Sequence, residues 1–156
     1  TLVALEATMV IASQNGTRTM SAQDFFIGPD RDIRSMTALD DGEILTAVRL
    51  PAAWANAEFY FEKVADRNVW DFALTSVAAV MKVSGDTIED ARIACGAVEC
   101  VPRRLEAVEN AIRGEKRSDD LGARAGELAV EGARSLNYNH FKVPLMANLV
   151  ARAVRG

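Results

Sequence analysis

Residues 73–98, ALTSVAAVMKVSGDTIEDARIACGAV, decide the fold. Ala73 to Val83 is a mostly apolar run, Ser84-Gly85-Asp86 turns the chain, and Thr87 to Val98 resumes as a second long strand. Two long strands joined by so short a turn pair antiparallel, because a parallel return needs a crossover of a dozen residues or more. Just upstream, Glu58 to Val64 has the composition of a further strand. The sequence therefore predicts a three-stranded antiparallel sheet.

Downstream the pattern changes to helices, which need an apolar sheet face to cover. Pro102 is read as a first helical residue, with Leu105, Val108 and Ile112 on one face and Gly114 as the stop. Ser118-Asp119-Asp120 caps a second helix. Leu121, Ala125, Leu128, Ala129 and Gly132 lie on one side of it, small enough for close helix contact. The last helix is the clearest, with Met146, Leu149, Val150, Ala153 and Val154 at i, i+3, i+4, i+7 and i+8 and Pro144 in its first turn.

Upstream, Ala7 to Ser13 and Thr17 to Met20 flank Asn15-Gly16, a hairpin signal resting on positive φ at the turn. Ser21 to Asp24 has capping-box spacing, so a brief helical turn carries Phe25 and Phe26 inward before Gly28-Pro29 stops it. Asp30 to Met36 reads as an exposed, charged loop. From Glu43 the alternation returns, with Ile44, Thr46, Val48 and Leu50 on one face, Leu45, Ala47 and Arg49 on the other, and Pro51 closing the strand. Pro51 to Asn56 is the expected domain boundary, separating 1–53 from 54–156. The whole is α+β: the end of one α+β domain, then a small domain of sheet and about three helices.

At 156 residues and 49% hydrophobic, the chain is long enough to bury a core without a disulfide or metal staple. A net charge of -4 argues against nucleic acid and polybasic membrane contact. No apolar run approaches the roughly 20 residues of a membrane span, so the chain reads as soluble and cytoplasmic. Its opening, Leu2-Val3-Ala4-Leu5, reads as the end of an element begun earlier, and the chain as a fragment. Cys95 and Cys100 form no CxxC pattern and read as buried free thiols. His140, the single histidine, reads as a helix-start or surface residue, with no Ser or Cys evidently partnered to it. Asp40-Asp41 and Asp119-Asp120 fall at turn and cap positions rather than in an acid/base pair. No GxGxxG or Walker motif is present, and metal binding is not expected.

One ordered set of residues goes beyond composition: Asp24-Phe25-Phe26, Gly28, Thr37-Ala38-Leu39, Gly42-Glu43-Ile44-Leu45, Pro51, Phe61, Lys63, Arg67 and Asp71-Phe72-Ala73. It resembles the flavoprotein subunit of molybdenum hydroxylases, the xanthine dehydrogenase, aldehyde oxidase and aerobic carbon monoxide dehydrogenase family. The resemblance implies an FAD-carrying oxidoreductase component. Electrons would arrive from iron–sulfur clusters fed by a molybdopterin centre, on partner iron–sulfur and molybdenum subunits, and leave to NAD or another acceptor. A heterohexamer is also implied.

By position the resemblance makes Leu39 a flavin contact, Lys63 a lysine at the flavin site, Val64 to Leu74 a mobile loop beside the isoalloxazine, and Asp71 and Phe72 part of its cofactor-binding set. A lysine near the pyrimidine edge would stabilise the reduced ring; the plain alternative is a snorkelling surface charge. Phe72 either covers the ring or belongs to the core. The family's glycine-rich pyrophosphate loops have no counterpart here. The chain is thus expected to hold the closing part of the FAD-binding domain (1–53) and a carbon monoxide dehydrogenase flavoprotein-type C-terminal domain (54–156), inactive alone. The alternative is a docking or assembly module that binds no flavin.

Overall fold

The computed structural model describes residues 1–156 as two antiparallel sheets and four α-helices. The first sheet contains β1 (Thr8–Ser13), β2 (Gly16–Ser21) and β3 (Ile44–Arg49) in the order β2-β1-β3. The second contains β4 (Glu58–Val64), β5 (Thr75–Ser84), β6 (Thr87–Gly96) and β7 (Arg103–Arg104), in sequence order. Helix α1 (Ala22–Phe25) follows the first hairpin; α2 (Glu106–Ile112), α3 (Asp119–Ala129) and α4 (Lys142–Arg155) follow the second sheet.

The β5–β6 hairpin is the spine. Opposed residues share a face, and Val77, Ala79 and Met81 stand opposite Cys95, Ile93 and Ala91. All six are buried with Val108, Ile112, Leu121, Leu149, Val150 and Val154 of the helices. Burying each large aliphatic side chain contributes about 1.5–3 kcal/mol, so this face carries most of the core's stabilisation. Helix α3 approaches α4 through Gly122 and Gly126, where a Cβ would stand 2.8 Å from Ala151 O and 2.6 Å from Ala147 O. Small residues at those two positions are what allow the contact.

The opposite face of the same sheet meets the N-terminal unit. Ala78 and Ala94 pair across β5 and β6 and pack with Val3, Ala4, Ala7, Met9, Ile11, Ala22 and Phe25. Phe25 is buried and meets Phe26 edge-on, 5.3 Å between centroids, as the Ser21 cap directs: Ser21 Oγ accepts from Asp24 N at 3.1 Å.

Several expectations shift by a residue or an element. The hairpin turn is Gln14-Asn15, because Ser13 pairs with Gly16, and it is Gly16 alone that takes positive φ (129°). A bulge opposite Val10/Ile11 breaks the strict alternation of β3, so Leu45 and Val48 share the face of Ile11 and Met9, Leu45 half-buried and Val48 exposed, while Ile44 and Ala47 lie on the other face. The second sheet gains a short fourth strand, β7. Pro102 therefore precedes a strand, and the helix begins only at Glu106. Strand β7 pairs Arg103 and Arg104 with Cys95 and Ala94 of β6, and Arg104 reaches Glu109 from there: that buried carboxylate accepts from Arg104 Nε at 2.7 Å, from a terminal guanidinium nitrogen at 2.6 Å and from Ile93 N at 2.8 Å. Cys95 is buried, its thiol pushed up to about 11 by desolvation, whereas Cys100 is exposed. His140 is exposed just before α4.

Candidate functional site

The expected site residues fall on two segments. The first is the loop that carries Leu39. It is closed at its base by a bridge between Phe26 and Thr37 and by Ala38 N donating to Phe25 O at 2.9 Å. Arg18 on β2 then clamps its far side, donating to Ala38 O at 2.7 Å and to both oxygens of Glu43 at 2.7 and 2.6 Å. Glu43 also accepts from Asp40 N at 2.8 Å. The Arg18 hydrogen bond, helped by that backbone amide, holds the Glu43 carboxyl at about 2. Leu39 itself is half-buried against the apolar cluster around Phe25, Ala78 and Ala94.

The second segment is the end of β4 and the loop after it. Phe59, Phe61 and Lys63 alternate onto one face, opposite Val80, Ala78 and Ser76. This is the face that, one strand away, meets the N-terminal unit. The loop from Val64 to Leu74 is closed by Leu74 N donating to Val64 O at 2.7 Å. Asp71 organises its interior: the carboxylate accepts from Arg67 N at 3.0 Å and Phe72 N at 2.9 Å, and its main-chain oxygen accepts from Lys63 Nζ at 2.5 Å. Trp70, at φ 51°, is pushed outward as a consequence. Trp70 is 97% exposed and Phe72 92%.

The structure thus joins Lys63, Asp71 and Phe72 in one hydrogen-bonded unit. Leu39 lies apart, in a hollow bounded by Arg18, Met20, Ile27 and Thr37, while Lys63 borders another with Arg67, Trp70 and Asp71. The two hollows are separate, though both lie on the side of the larger sheet that carries the N-terminal unit. The core alternative for Phe72 is overturned by its exposure. Phe61, 63% exposed and one of the residues that carry the resemblance, and Phe59, 64% exposed, were given no site role from the sequence, although their period-two spacing with Lys63 marks them as sharing its face.

A flat heteroaromatic ring with an electron-rich edge needs a cation at the edge, aromatic or apolar faces and a shallow floor. Lys63 keeps two of its three N–H donors beyond the Asp71 bond. Phe61 and Phe72 offer exposed rings. Ser76 and Gly96, paired beside Lys63, leave the floor low, with so little room that a Cβ on Gly96 would stand 2.9 Å from Ser76 Oγ. These residues fit the ring end of a flavin. For a pyrophosphate the chain offers nothing comparable: Gly16, Gly42, Gly85, Gly114 and Gly132 take positive φ singly, at scattered turns.

Comparison with known proteins gives two family matches in chain order. Residues 1–53 match the family described as the FAD binding domain in molybdopterin dehydrogenase. Residues 60–155 match the CO dehydrogenase flavoprotein C-terminal domain. Among curated relatives, the chain is 38% identical over 120 residues to the glyceraldehyde dehydrogenase medium chain of Sulfolobus acidocaldarius, covering 77% of this chain and 40% of that one. It is 30% identical over 156 residues to the carbon monoxide dehydrogenase medium chain of Hydrogenophaga pseudoflava, covering 97% and 52%. The crystal structure of quinoline 2-oxidoreductase from Pseudomonas putida 86 superposes with a TM-score of 0.83 at 31% identity, over 99% of this chain and 52% of that one. The chain therefore spans about half the length, or less, of these relatives.

Proposed function

This chain belongs to the family of molybdenum hydroxylase flavoprotein subunits, and from that premise we propose that it supplies one wall of an FAD site in a multi-subunit oxidoreductase. The observation that carries the reading is the Lys63–Asp71–Phe72 unit, exposed on the face that also meets the segment matched to the FAD-binding family. Bound FAD supplies the capacity to take up two electrons and pass them on. In this reading electrons come from iron–sulfur clusters on one partner subunit, fed by a molybdopterin centre on another, and go to NAD or a different acceptor. The assembly is a cytoplasmic complex of the heterohexamer type. No helix here is long and apolar enough to cross a membrane.

Each residue has a part. The Lys63 ammonium, held by the Asp71 carbonyl, sets a positive charge at the ring edge and favours the electron-rich state. Phe72, with Asp71 fixing its amide, covers the ring and limits water access. Leu39 provides an apolar contact from the 1–53 part, the closing portion of the FAD-binding domain, across from the 54–156 part. By itself the chain is inactive, because it lacks a pyrophosphate cradle.

The test is reconstitution. The chain is combined with a polypeptide matching the remaining length of its relatives, and the flavin absorbance band is measured. A band that requires both pieces supports the reading. A native complex that contains this chain and no flavin sinks it, in favour of a docking or assembly role.

A further inference from the structure

Where the two family-matched regions meet, the chain builds a polar knot around one buried indole. Trp54, 4% exposed, ends the short helical turn Ala52–Trp54 between β3 and β4. Its Nε1–H donates to Glu6 Oε2 at 3.1 Å. The other Glu6 oxygen accepts from Arg92 Nε at 2.8 Å and lies 3.9 Å from Arg104. The Arg92 guanidinium stands 5.1 Å from the centre of the Trp54 ring and Lys82 Nζ 5.2 Å from it. Asp90 accepts from Arg92 at 2.7 Å and holds it from behind. The knot thus takes Glu6 from the N-terminal unit, Trp54 from the linker, and Arg92, Lys82 and Asp90 from the second sheet.

Two further features indicate that the knot does more than fill space. The apolar contact between the units rests, on the sheet side, on Ala78 and Ala94. Such a surface is smooth, and hydrophobic attraction has no direction, so the alanines hold the units together without choosing an angle. Hydrogen bonds and a cation over a ring face do choose one. In addition, Glu6 sits at φ 51°, the left-handed position where glycine is the ordinary occupant. Its amide donates to Val3 O at 3.1 Å and the next amide to Leu2 O at 3.0 Å, the paired bonds of a helix C-cap. A glutamate at that backbone position is strained, and what it offers in return is its carboxylate.

We propose that Glu6, Trp54 and Arg92 form a latch that sets the angle between the N-terminal unit and the second sheet, and so act as positioning residues for whatever binds across them. The inference goes beyond the flavin reading. If that reading holds, the angle in question is the one between Leu39 and the Lys63 wall.

The experiment measures the angle without any ligand. Spin labels are placed at Thr17→Cys and Asp120→Cys in the full chain with Cys100→Ser, both label sites being exposed. A control pair, Asp86→Cys with Asp120→Cys, reports on the second unit alone. The unaltered latch should give one narrow distance peak. Arg92→Met and Glu6→Gly should each give a broad or bimodal distribution for the first pair while the control pair stays narrow. Glu6→Gly is the sharper variant because it relaxes the strained backbone as it removes the carboxylate. A plain capping role predicts equal or better thermal stability and an unchanged peak. Trp54→Phe, which keeps an aromatic face under Arg92 but loses the N–H donor and part of the ring, should broaden the peak less. Retention of a single narrow peak in both Arg92→Met and Glu6→Gly would overturn the latch. Failure of Arg92→Met to fold leaves Glu6→Gly to decide alone. Whether flavin binds is a separate measurement and does not enter this one.

Discussion

Single residues here earn their geometry from partners distant in sequence, and Glu43 is the plainest case. Its carboxyl titrates at about 2 rather than its ordinary 4.5, first because Arg18 hydrogen-bonds it and second because Asp40 N does. A folded-state value below the unfolded one means that the ion pair's contribution is fully present above about pH 4.5. It is lost as pH falls through about 2. The pair is at the surface, so the effect is small and screened by salt. Stability of the unaltered protein and of Glu43→Gln, compared by urea unfolding across that range, should differ most above pH 4.5 and converge near pH 2. Lys63 makes the complementary prediction in the reconstituted flavoprotein. A hydrogen bond to a charged group contributes about 1.5–3 kcal/mol. In a two-electron couple about 1.4 kcal/mol corresponds to 30 mV. Lys63→Ala should therefore move the flavin midpoint more negative by about 30–65 mV in a redox titration. An unmoved midpoint would take Lys63 out of the site.

At the scale of elements, close helix contact and one buried ion pair set the stability of the second unit. Gly126→Ala should help α3 by about 1 kcal/mol through helix propensity. Against this, the new methyl would meet a backbone carbonyl, Ala147 O at 2.6 Å, that no rotamer change can move aside. Overpacking of that kind costs about 1–3 kcal/mol, so the net effect should be a loss, seen as a melting temperature lower by a few degrees. Glu109→Ala should cost more, about 3–5 kcal/mol, since it strands the Ile93 amide and leaves the half-buried Arg104 guanidinium only the distant Glu6 carboxylate. A denaturation midpoint close to that of the unaltered protein would refute the structural weight given to the pair.

These elements also show what a linear reading can and cannot reach. The β5–β6 hairpin and α4 were legible because their signals are local: apolar runs around Ser84-Gly85-Asp86, and Met146 through Val154 at helical spacing. Strand β7 was not, because two arginines become a strand only by pairing with Ala94 and Cys95 of β6, with Glu109 of the next helix holding Arg104 in place. The β3 bulge is likewise decided by pairing with β1. At the candidate site, Lys63 and Asp71 were joined only by resemblance, since no pattern announces a lysine bonded to a carbonyl eight residues on. Phe61 entered the resemblance without a site role, and Phe59 was read only as part of the Glu58 to Val64 strand. Trp54 gave no sign of its role, because Glu6 and Arg92 are far from it along the chain.

For the molecule as a whole, the second sheet works on both faces, with helices on one and the N-terminal unit on the other. Four exposed aromatics lie where neither unit covers the sheet, Phe59 and Phe61 on β4 and Trp70 and Phe72 on the adjoining loop. An exposed apolar patch of this kind is what marks binding and interaction sites on protein surfaces.

The two tryptophans occupy opposite extremes of accessibility, Trp54 at 4% and Trp70 at 97%. Acrylamide should therefore extinguish the red-shifted emission of one indole and spare the blue-shifted emission of the other. A single cuvette then holds two built-in lamps, one illuminating the outer loop and one the seam. Capture of the loop by a ligand should dim or shift only the first, and any loosening of the seam should show only in the second.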